Sequence, residues 1–196
     1  RNMPLEGDSN FDGLKKAYAN GIELRGKTLG IVGIGRIGQA TAKMALGLGM
    51  KVIAADMFIP QVDVKVEFFD GQSITTTIVS QSLESLFEEA DFITLHVPAQ
   101  DGYIISTNEL ATMKDGVGIV NCARGGVIDE IALIEALDSG KVAFAGLDVF
   151  ESEPKPELKI LMHPKISLTP HIGAATDEAQ DRIGTELAQQ IISILG

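Results

Sequence analysis

Short apolar runs rich in β-branched residues alternate along the chain with longer stretches in which apolar residues recur at the spacing of a helix. The runs predict six strands, at 28–34, 51–55, 92–97, 117–121, 143–149 and 166–168. The other stretches predict helices at 37–48, 82–89, 107–113, 130–139 and 176–195. Because parallel strands need long crossovers, this alternation predicts an α/β fold with a doubly wound parallel sheet and helices on both of its faces.

The predicted helices carry local signals at their ends. Ser106 and Glu109 have the spacing of a capping box, and Asp129 stands where it can cap the helix at 130–139. Gly49 and Gly140 follow two of the helices, at the position where a left-handed glycine commonly ends a helix. These signals agree with the elements that the apolar pattern predicts.

The pattern also divides the chain into three parts. Residues 1–26 are polar and glycine-rich with a weak helical piece at 14–19, and we expect a connecting arm there. Residues 27–172 carry the predicted strands, and residues 173–196 carry the C-terminal helix. Since the chain begins with Arg1 rather than Met, we expect it to be a piece of a longer polypeptide.

An extra hairpin is predicted at residues 64–79. Asp70 and Gly71 lie there between two β-prone segments, and an Asp-Gly pair in that setting is a short-range hairpin signal. We therefore expect an added hairpin or an elongated sheet edge between the second and third predicted strands of the sheet.

Composition narrows the classes of ligand. The 16 Lys and Arg residues against 27 Asp and Glu residues give a net charge of −11, which argues against binding to nucleic acid or to an anionic membrane surface. The apolar runs are too short to span a membrane. Cys122 is the only cysteine, which excludes a disulfide framework and a thiolate zinc cluster and fits a reducing cytoplasm. We expect no metal site, and an anionic ligand would need a local cationic side chain.

A glycine-rich loop follows the first predicted strand directly and opens a helix. Its sequence is Gly33-Ile34-Gly35-Arg36-Ile37-Gly38. Gly33 permits the tight turn, Gly35 lets a pyrophosphate approach the backbone, and Gly38 lets helix and strand pack closely. The helix N-terminus then faces the anion. This context predicts a Rossmann-like dinucleotide site.

The acidic residue that such a site needs is Asp56. It ends the second predicted strand 18 residues after Gly38, where a carboxylate accepts hydrogen bonds from the adenosine ribose hydroxyls. A 2′-phosphate about 4 Å from that carboxylate would be repelled by roughly 1–4 kcal/mol. Met57 and Phe58, which follow, provide no compensating arginine. The cofactor is therefore predicted to be NAD.

Three further residues follow predicted strands at the edge where open α/β sheets place their chemistry. Arg124, Glu153 and His171 come after the strands at 117–121, 143–149 and 166–168. Oxidation of a hydroxy acid needs a base for the hydroxyl proton and a cation for the carboxylate. His171 can exchange the proton, Glu153 can hold the imidazole tautomer, and Arg124 can bind the carboxylate of a small anionic substrate.

At these residues the sequence resembles the D-isomer-specific 2-hydroxyacid dehydrogenases over nearly all of residues 22–196. Four motifs carry the resemblance, at 26–38, 121–126, 146–154 and 169–176. The resemblance implies a D-2-hydroxy acid as substrate, an NAD-binding domain at 27–172, and Arg124, Glu153 and His171 as the catalytic trio.

The resemblance also implies a set of cofactor contacts. Arg36 would touch the pyrophosphate, His96 with its neighbours would line the adenosine side, and Asp148 would meet the nicotinamide carboxamide. The full set is Gly33, Gly35, Arg36, Ile37, Gly38, Asp56, His96, Val97, Pro98, Cys122, Ala123, Asp148, His171 and Gly173. Two departures from the family, a short segment after Pro98 and the hairpin at 64–79, bear on how tightly the cofactor binds.

The family resemblance leaves several points open. Members carry a separate substrate domain that this chain lacks, and they are usually dimeric, so we expect a homodimer that uses the arm at 1–26. The favoured substrate is 3-phospho-D-glycerate in serine biosynthesis, and the nearest alternative is reduction of glyoxylate or hydroxypyruvate. Formate dehydrogenases are disfavoured because they resemble a pattern with Gln in place of Glu153. A non-enzymatic NAD-sensing protein of the co-repressor kind is the alternative from another class.

Overall fold

The computed structural model describes residues 3–19 and 21–195. The elements in chain order are α1 (Met3–Glu6), α2 (Phe11–Ala17), β1 (Thr28–Val32), α3 (Arg36–Gly47), β2 (Lys51–Ala55), β3 (Gln61–Glu67), β4 (Ser73–Val79), α4 (Leu83–Glu89), β5 (Phe92–Leu95), α5 (Thr107–Thr112), β6 (Val117–Asn121), α6 (Glu130–Ser139), β7 (Val142–Leu147), α7 (Leu158–Met162), β8 (Ile166–Leu168) and α8 (Asp177–Leu195). The parts of the predicted arm at residues 1, 2 and 20 and the last residue of the predicted C-terminal helix, 196, lie outside the described residues.

The predicted doubly wound sheet is confirmed. Its six strands run in the order β2-β1-β5-β6-β7-β8, and every neighbouring pair is parallel. The chain proceeds from β1 to β2 in one direction and then from β5 to β8 in the other, so the strand order reverses beside β1. Open α/β sheets bind ligands at such a reversal, outside the carboxyl ends of the strands.

The two faces of the sheet are covered differently. On one face, Leu86 of α4, Leu110 of α5 and Leu133 of α6 belong to one buried cluster with the strands. On the other face, α3 and the strands β3 and β4 cover β1 and β2. Val120 of β6 and Phe144 of β7 are 37% and 38% exposed on this second face. The predicted helices on both faces are confirmed, and the hairpin shares the second face with α3. Over β6 and β7 this second face stays partly exposed among the described residues.

The predicted hairpin is confirmed with a wider turn. Strands β3 and β4 pair antiparallel over all seven residues of each, starting at Gln61 instead of 64. Asp70 accepts a hydrogen bond from the amide of Gln72 at 3.0 Å, and Gly71 has a φ of 85°. The Asp-Gly pair therefore lies within a longer loop, residues 68–72, because the last strand pair is Glu67 with Ser73.

The predicted helix-end signals are confirmed as well. Glu109 accepts hydrogen bonds from the amide and the hydroxyl of Ser106 at 2.9 and 2.6 Å. The Asp129 carboxylate accepts from two amides in the first turn of α6, both at 3.0 Å. Gly49 and Gly140 have φ values of 77° and 84°, the left-handed conformation that glycine adopts without strain.

Several element boundaries differ from the predicted ones. Strands β1, β5 and β7 end at Val32, Leu95 and Leu147, two residues before their predicted ends, because the following residues leave the sheet to form the loops of the site. In the predicted arm, α2 covers Phe11–Ala17 instead of 14–19. The short helices α1 and α7 were not predicted, since four or five residues show too little periodicity.

Helix α8 contributes no buried residue among those described. Its apolar side chains Ile183, Leu187 and Ile191 are about half exposed, at 56%, 54% and 48%. Glu186 of this helix forms an ion pair with Arg36 at 2.8 Å. Over the described ranges, no helix combines the length and the apolar character that crossing a membrane would require.

Candidate active site at the carboxyl edge of the sheet

His171 and Glu153 are in direct contact. The imidazole Nδ1 of His171 lies 2.8 Å from Oε2 of Glu153. Oε1 of the same carboxylate accepts a hydrogen bond from the amide of Phe150 at 2.9 Å, which fixes its orientation. Because an ionised carboxylate only accepts, Nδ1 carries the proton in this pair and Nε2 is left as the atom that can exchange a proton.

This contact holds Glu153 in its ionised form. The hydrogen bond from His171, followed by the one from the Phe150 amide, lowers the pKa of the Glu153 carboxyl below its ordinary value. An ionised partner stabilises positive charge on the imidazole as it accepts a proton. The pair therefore has the arrangement of a general base with its supporting carboxylate.

The loop that carries His171 is anchored by Asp148. This aspartate is 2% exposed and accepts hydrogen bonds from the Thr169 hydroxyl and from the amides of Ile172 and Gly173 at 2.8 and 2.7 Å. Burial raises the pKa of Asp148, but these three hydrogen bonds and the nearby His171 outweigh it and lower the pKa. His171 itself has a φ of 55°, a left-handed conformation that is rare outside glycine, and the anchored amides on its C-terminal side hold it there.

Arg124 stands on the neighbouring segment after β6. Its guanidinium donates to the carbonyl of Ala123 at 2.6 Å. The buried Asn121 shapes this turn, because its side chain donates to the Arg124 carbonyl and accepts from the Ala123 amide, both at 3.0 Å. The next residue, Gly125, has no room for a side chain, since a Cβ there would lie 1.8 Å from the carbonyl oxygen of Phe150.

The sheet order explains why these residues come together. Arg124, Glu153 and His171 follow β6, β7 and β8, which are consecutive strands of one parallel sheet. Neighbouring strands are about 4.8 Å apart, so the segments that leave their carboxyl ends are adjacent. Direct contact joins Glu153 to His171, whereas Arg124 is joined to them through the packing of its own segment against the Glu153 turn.

A large cleft opens where the strand order reverses. It has a volume of about 1050 Å³, and Gly33, Gly35, Asp56, His96, Val97 and Pro98 are among its lining residues. A Cβ on Gly33 would lie 2.5 Å from the carbonyl oxygen of His96, and one on Gly38 would lie 2.1 Å from that of Gly33. Gly35 has open space beside it. Glycine is thus needed at 33 and 38 for close packing, and the loop leaves room at 35 for a phosphate.

Asp56 is held firmly at the end of β2. One carboxylate oxygen accepts from the amide of Ile34 in the glycine loop at 2.9 Å. The other accepts from the amides of Phe58 and Ile59 at 2.8 and 3.0 Å. A carboxylate offers about four acceptor positions, so one remains for a ribose hydroxyl. The residues of the cleft therefore fit an adenine dinucleotide without a 2′-phosphate.

The remaining predicted cofactor residues occupy varied surroundings. His96 contacts the Thr94 hydroxyl at 3.1 Å, and burial lowers the pKa of its imidazole, which favours the neutral form. Burial, aided by the charge of Asp148, raises the pKa of the Cys122 thiol. Ala123 is buried, whereas Ile37 is 68% exposed. The roles predicted for these residues stay predictions.

Two predicted cofactor contacts are occupied within the chain. Arg36 lies at the start of α3, but its guanidinium pairs with Glu186, and 85% of its side chain is exposed. The Asp148 carboxylate faces the His171 loop through its three hydrogen bonds. A pyrophosphate would have to compete with Glu186 for Arg36. A carboxamide would have to share Oδ2 of Asp148 with the Gly173 amide, because Oδ1 already accepts two hydrogen bonds.

Sequence reasoning missed several residues of the site. Asn121 and Gly125 shape the Arg124 turn, and Ser82 and Phe87 of the α4 region line the cleft. Asn121 and Gly125 lie in the motif at 121–126, so their closeness in sequence to Arg124 is the signal that could have identified them. Nothing in the sequence pattern links α4 to the glycine loop. Within residues 3–19 and 21–195, no group of three His, Cys, Asp or Glu side chains could hold a metal ion.

Comparison with known proteins agrees with this geometry. A family model described as "D-isomer specific 2-hydroxyacid dehydrogenase, NAD binding domain" matches residues 6–173. The chain is 50% identical over 187 residues to the hydroxypyruvate reductase of Thermotoga maritima, and 46% identical over 177 residues to the D-3-phosphoglycerate dehydrogenase of Methanocaldococcus jannaschii. These alignments cover 93% and 89% of this chain.

A solved structure shares the fold. The D-mandelate dehydrogenase of Rhodotorula graminis superposes with a TM-score of 0.79 at 33% identity, over 96% of this chain and 53% of that one. The chain spans 57% of the Thermotoga relative and 32% of the Methanocaldococcus relative. The similarity therefore concerns one part of longer proteins, and the family model identifies that part as the NAD-binding domain.

Proposed function

Because the chain belongs to the D-isomer-specific 2-hydroxyacid dehydrogenase family and covers its NAD-binding domain, we propose that it serves an enzyme that transfers a hydride between a D-2-hydroxy acid and NAD. The observation that carries the proposal is the 2.8 Å contact between His171 and Glu153 at the carboxyl edge of the sheet. In this proposal the contact orients the imidazole for proton exchange with the substrate hydroxyl. Arg124 on the adjacent segment supplies the cation for the substrate carboxylate.

Each residue has one task in this proposal. Gly33, Gly35 and Asp56 would hold NAD, which supplies the hydride acceptor. Nε2 of His171 takes the hydroxyl proton during oxidation and returns it during reduction, while Glu153 keeps the proton on Nδ1. The guanidinium of Arg124 leaves the Ala123 carbonyl to bind the substrate carboxylate through two parallel hydrogen bonds.

The favoured substrate is 3-phospho-D-glycerate, which would place the enzyme in serine biosynthesis. Support comes from the phosphoglycerate dehydrogenase of Methanocaldococcus jannaschii, to which the chain is 46% identical. The main alternative is reduction of hydroxypyruvate or glyoxylate, which the 50% identity to the Thermotoga enzyme favours. A substrate phosphate would need cationic groups, and in a chain of net charge −11 these are expected from the part of the protein outside this chain.

We further propose that two copies of the chain associate. Apolar side chains on the arm are exposed, including Leu5 at 80%, Phe11 at 57% and Tyr18 at 69%. The uncovered sheet face at Val120 and Phe144 is apolar as well. Light scattering is expected to report a dimer that Phe11→Ser weakens, while a monomer in the unmodified chain would contradict this part. The cytoplasm is the proposed compartment, since Cys122 is the only cysteine.

The test is a dehydrogenase assay of the complete polypeptide with NAD and a panel of D-2-hydroxy acids. We expect NADH formation with one or more of them, and the ratio of kcat/KM between 3-phospho-D-glycerate and D-glycerate distinguishes the two substrate proposals. Absence of turnover with every acid, together with NAD-dependent binding of a protein partner, would overturn the proposed dehydrogenase activity and favour a co-repressor-like NAD sensor. The isolated chain should bind NAD in either case.

A further inference from the structure

Glu130 and Glu151 exchange hydrogen bonds between backbone and side chain. The Glu130 amide donates to Oε1 of Glu151 at 3.0 Å, and the Glu151 amide donates to Oε1 of Glu130 at 2.9 Å. Glu130 is the first residue of α6, and Glu151 lies two residues before Glu153. The exchange therefore joins the segment that follows β6 to the turn that follows β7.

The surroundings of Glu130 disfavour an ionised side chain. Glu130 is 7% exposed. Burial raises the pKa of its carboxyl, and the charges of Glu151 and Glu157 raise it further, while the hydrogen bond from the Glu151 amide opposes them. An apolar side chain here would avoid the burial of charge but would leave the Glu151 amide without its acceptor.

A second contact joins the same two segments. The carbonyl oxygen of Phe150 lies so close to Gly125 that a Cβ there would be 1.8 Å away. The Phe150 amide, on the other side of the same residue, donates to Glu153 at 2.9 Å. Residues 150–153 are thus held at Phe150 by packing and at Glu151 by Glu130, and both contacts come from the segment that carries Arg124.

We infer that Glu130 is a positioning residue for the proposed reaction: its side-chain acceptor oxygen holds the turn at 150–153 against the Arg124 segment and so keeps Glu153 within reach of His171. Glu130 acts through Glu151 and Glu153 and contacts neither the imidazole nor the guanidinium. Its consequence for turnover rests on the proposed function, whereas its effect on the turn does not.

Three substitutions separate the acceptor from the charge. Glu130→Gln keeps an oxygen at the same reach and removes the charge, whereas Glu130→Asp keeps the charge and shortens the side chain by one methylene. Glu130→Ala removes both. Glu135→Ala, at an exposed glutamate of the same helix, is the matched control. If the turn is held by the acceptor oxygen of residue 130, the variant Glu130→Gln behaves as wild type and the variant Glu130→Asp behaves as Glu130→Ala.

The first readout is amide hydrogen exchange of Glu151 in the isolated chain. Exchange should be at least about tenfold faster in Glu130→Asp and Glu130→Ala, and close to wild type in Glu130→Gln and Glu135→Ala. Equal exchange in all variants would overturn the inference. So would the reverse order, with Asp like wild type and Gln like Ala, since that would assign the effect to charge. Glu130→Asp keeps the test decisive if Glu130→Ala does not fold.

The second readout is the tautomer of His171 from imidazole nitrogen shifts, in a chain that has three histidines. The fraction of His171 with the proton on Nδ1 should fall in Glu130→Asp and remain as in wild type in Glu130→Gln. Faster exchange at Glu151 with an unchanged tautomer would reduce Glu130 to a local structural role and overturn the inference.

In the complete polypeptide, Glu130→Asp is expected to lower kcat about tenfold with little change in the KM for NAD. An unchanged kcat would count against the inference. Absence of turnover in the wild-type polypeptide would overturn the proposed function alone, because the exchange and tautomer results stand without it.

Discussion

Oε2 of Glu153 accepts a hydrogen bond from Nδ1 of His171 at 2.8 Å, across 18 residues of chain. Glu153 lies in the loop after β7 and His171 in the loop after β8, so the contact exists only when both loops are folded. Because both residues lie in loops outside the strands, we expect loss of this contact to leave the sheet intact.

Glu153→Gln tests this contact. An amide at this position can present its NH₂ group to the imidazole and favour the wrong tautomer, so we expect kcat of the complete polypeptide to fall by about 10²-fold or more. The dissociation constant for NAD should not change. Glu135→Gln is the control, because Glu135 is exposed and does not line the cleft, whereas the exposed Glu84 does. A kcat within twofold of wild type would contradict the role of Glu153.

Asp148 is expected to matter for stability in a pH-dependent way. Asp148→Asn replaces one of the two oxygens that accept from Thr169, Ile172 and Gly173, and should lower the free energy of unfolding by about 2–4 kcal/mol at neutral pH. Urea denaturation measures this, and the exposed Asp101→Asn should have little effect.

The pKa of Asp148 lies below its ordinary value, so the folded state stabilises the ionised carboxyl more than the unfolded state does. The contribution is complete above the unfolded-state pKa of about 3.9 and is lost as the pH falls through the lowered value. The difference between wild type and Asp148→Asn should therefore shrink below about pH 4. A difference that grows on acidification would refute this assignment.

Asp56→Ala tests the choice of cofactor. Removal of the carboxylate eliminates a ribose acceptor and the repulsion of a 2′-phosphate, so NAD should bind about tenfold more weakly and the preference over NADP should narrow. Calorimetric titration of the isolated chain gives both dissociation constants. Asp70→Ala, at the hairpin turn, is the control. An unchanged preference would remove Asp56 from this role.

Two glycines should respond to alanine with opposite signs. Gly125→Ala places a Cβ 1.8 Å from the Phe150 carbonyl oxygen, so the backbone must shift and the chain should lose at least about 2 kcal/mol of stability. Gly47→Ala lies at the end of α3 with open space around it and should stabilise by about 0.5–1 kcal/mol. Thermal unfolding of both variants decides the point, and a harmless Gly125→Ala would show that the two segments are not in close contact.

The fold and the main site residues follow from local sequence signals. Strand runs, cap residues and the spacing from Gly38 to Asp56 each depend on nearby residues, so they are visible in one sequence. The topology then places Arg124, Glu153 and His171 at one edge because all three follow parallel strands.

Other features depend on contacts between distant segments. The exchange between Glu130 and Glu151 joins residues 21 apart in the chain, and the pairing of Arg36 with Glu186 joins residues 150 apart. Neither residue type nor spacing predicts such a partner. The partial exposure of Phe144 was not predicted either, because an apolar strand has the same sequence pattern whether or not a helix covers it.

The most direct test compares hydride transfer to NAD by the complete polypeptide before and after His171→Ala. We expect kcat to fall at least about 10²-fold while the dissociation constant for NAD stays within twofold, because Nε2 of His171 would exchange the substrate proton and the cleft at the glycine loop is left intact. Turnover that is unaffected by the loss of the imidazole would contradict it.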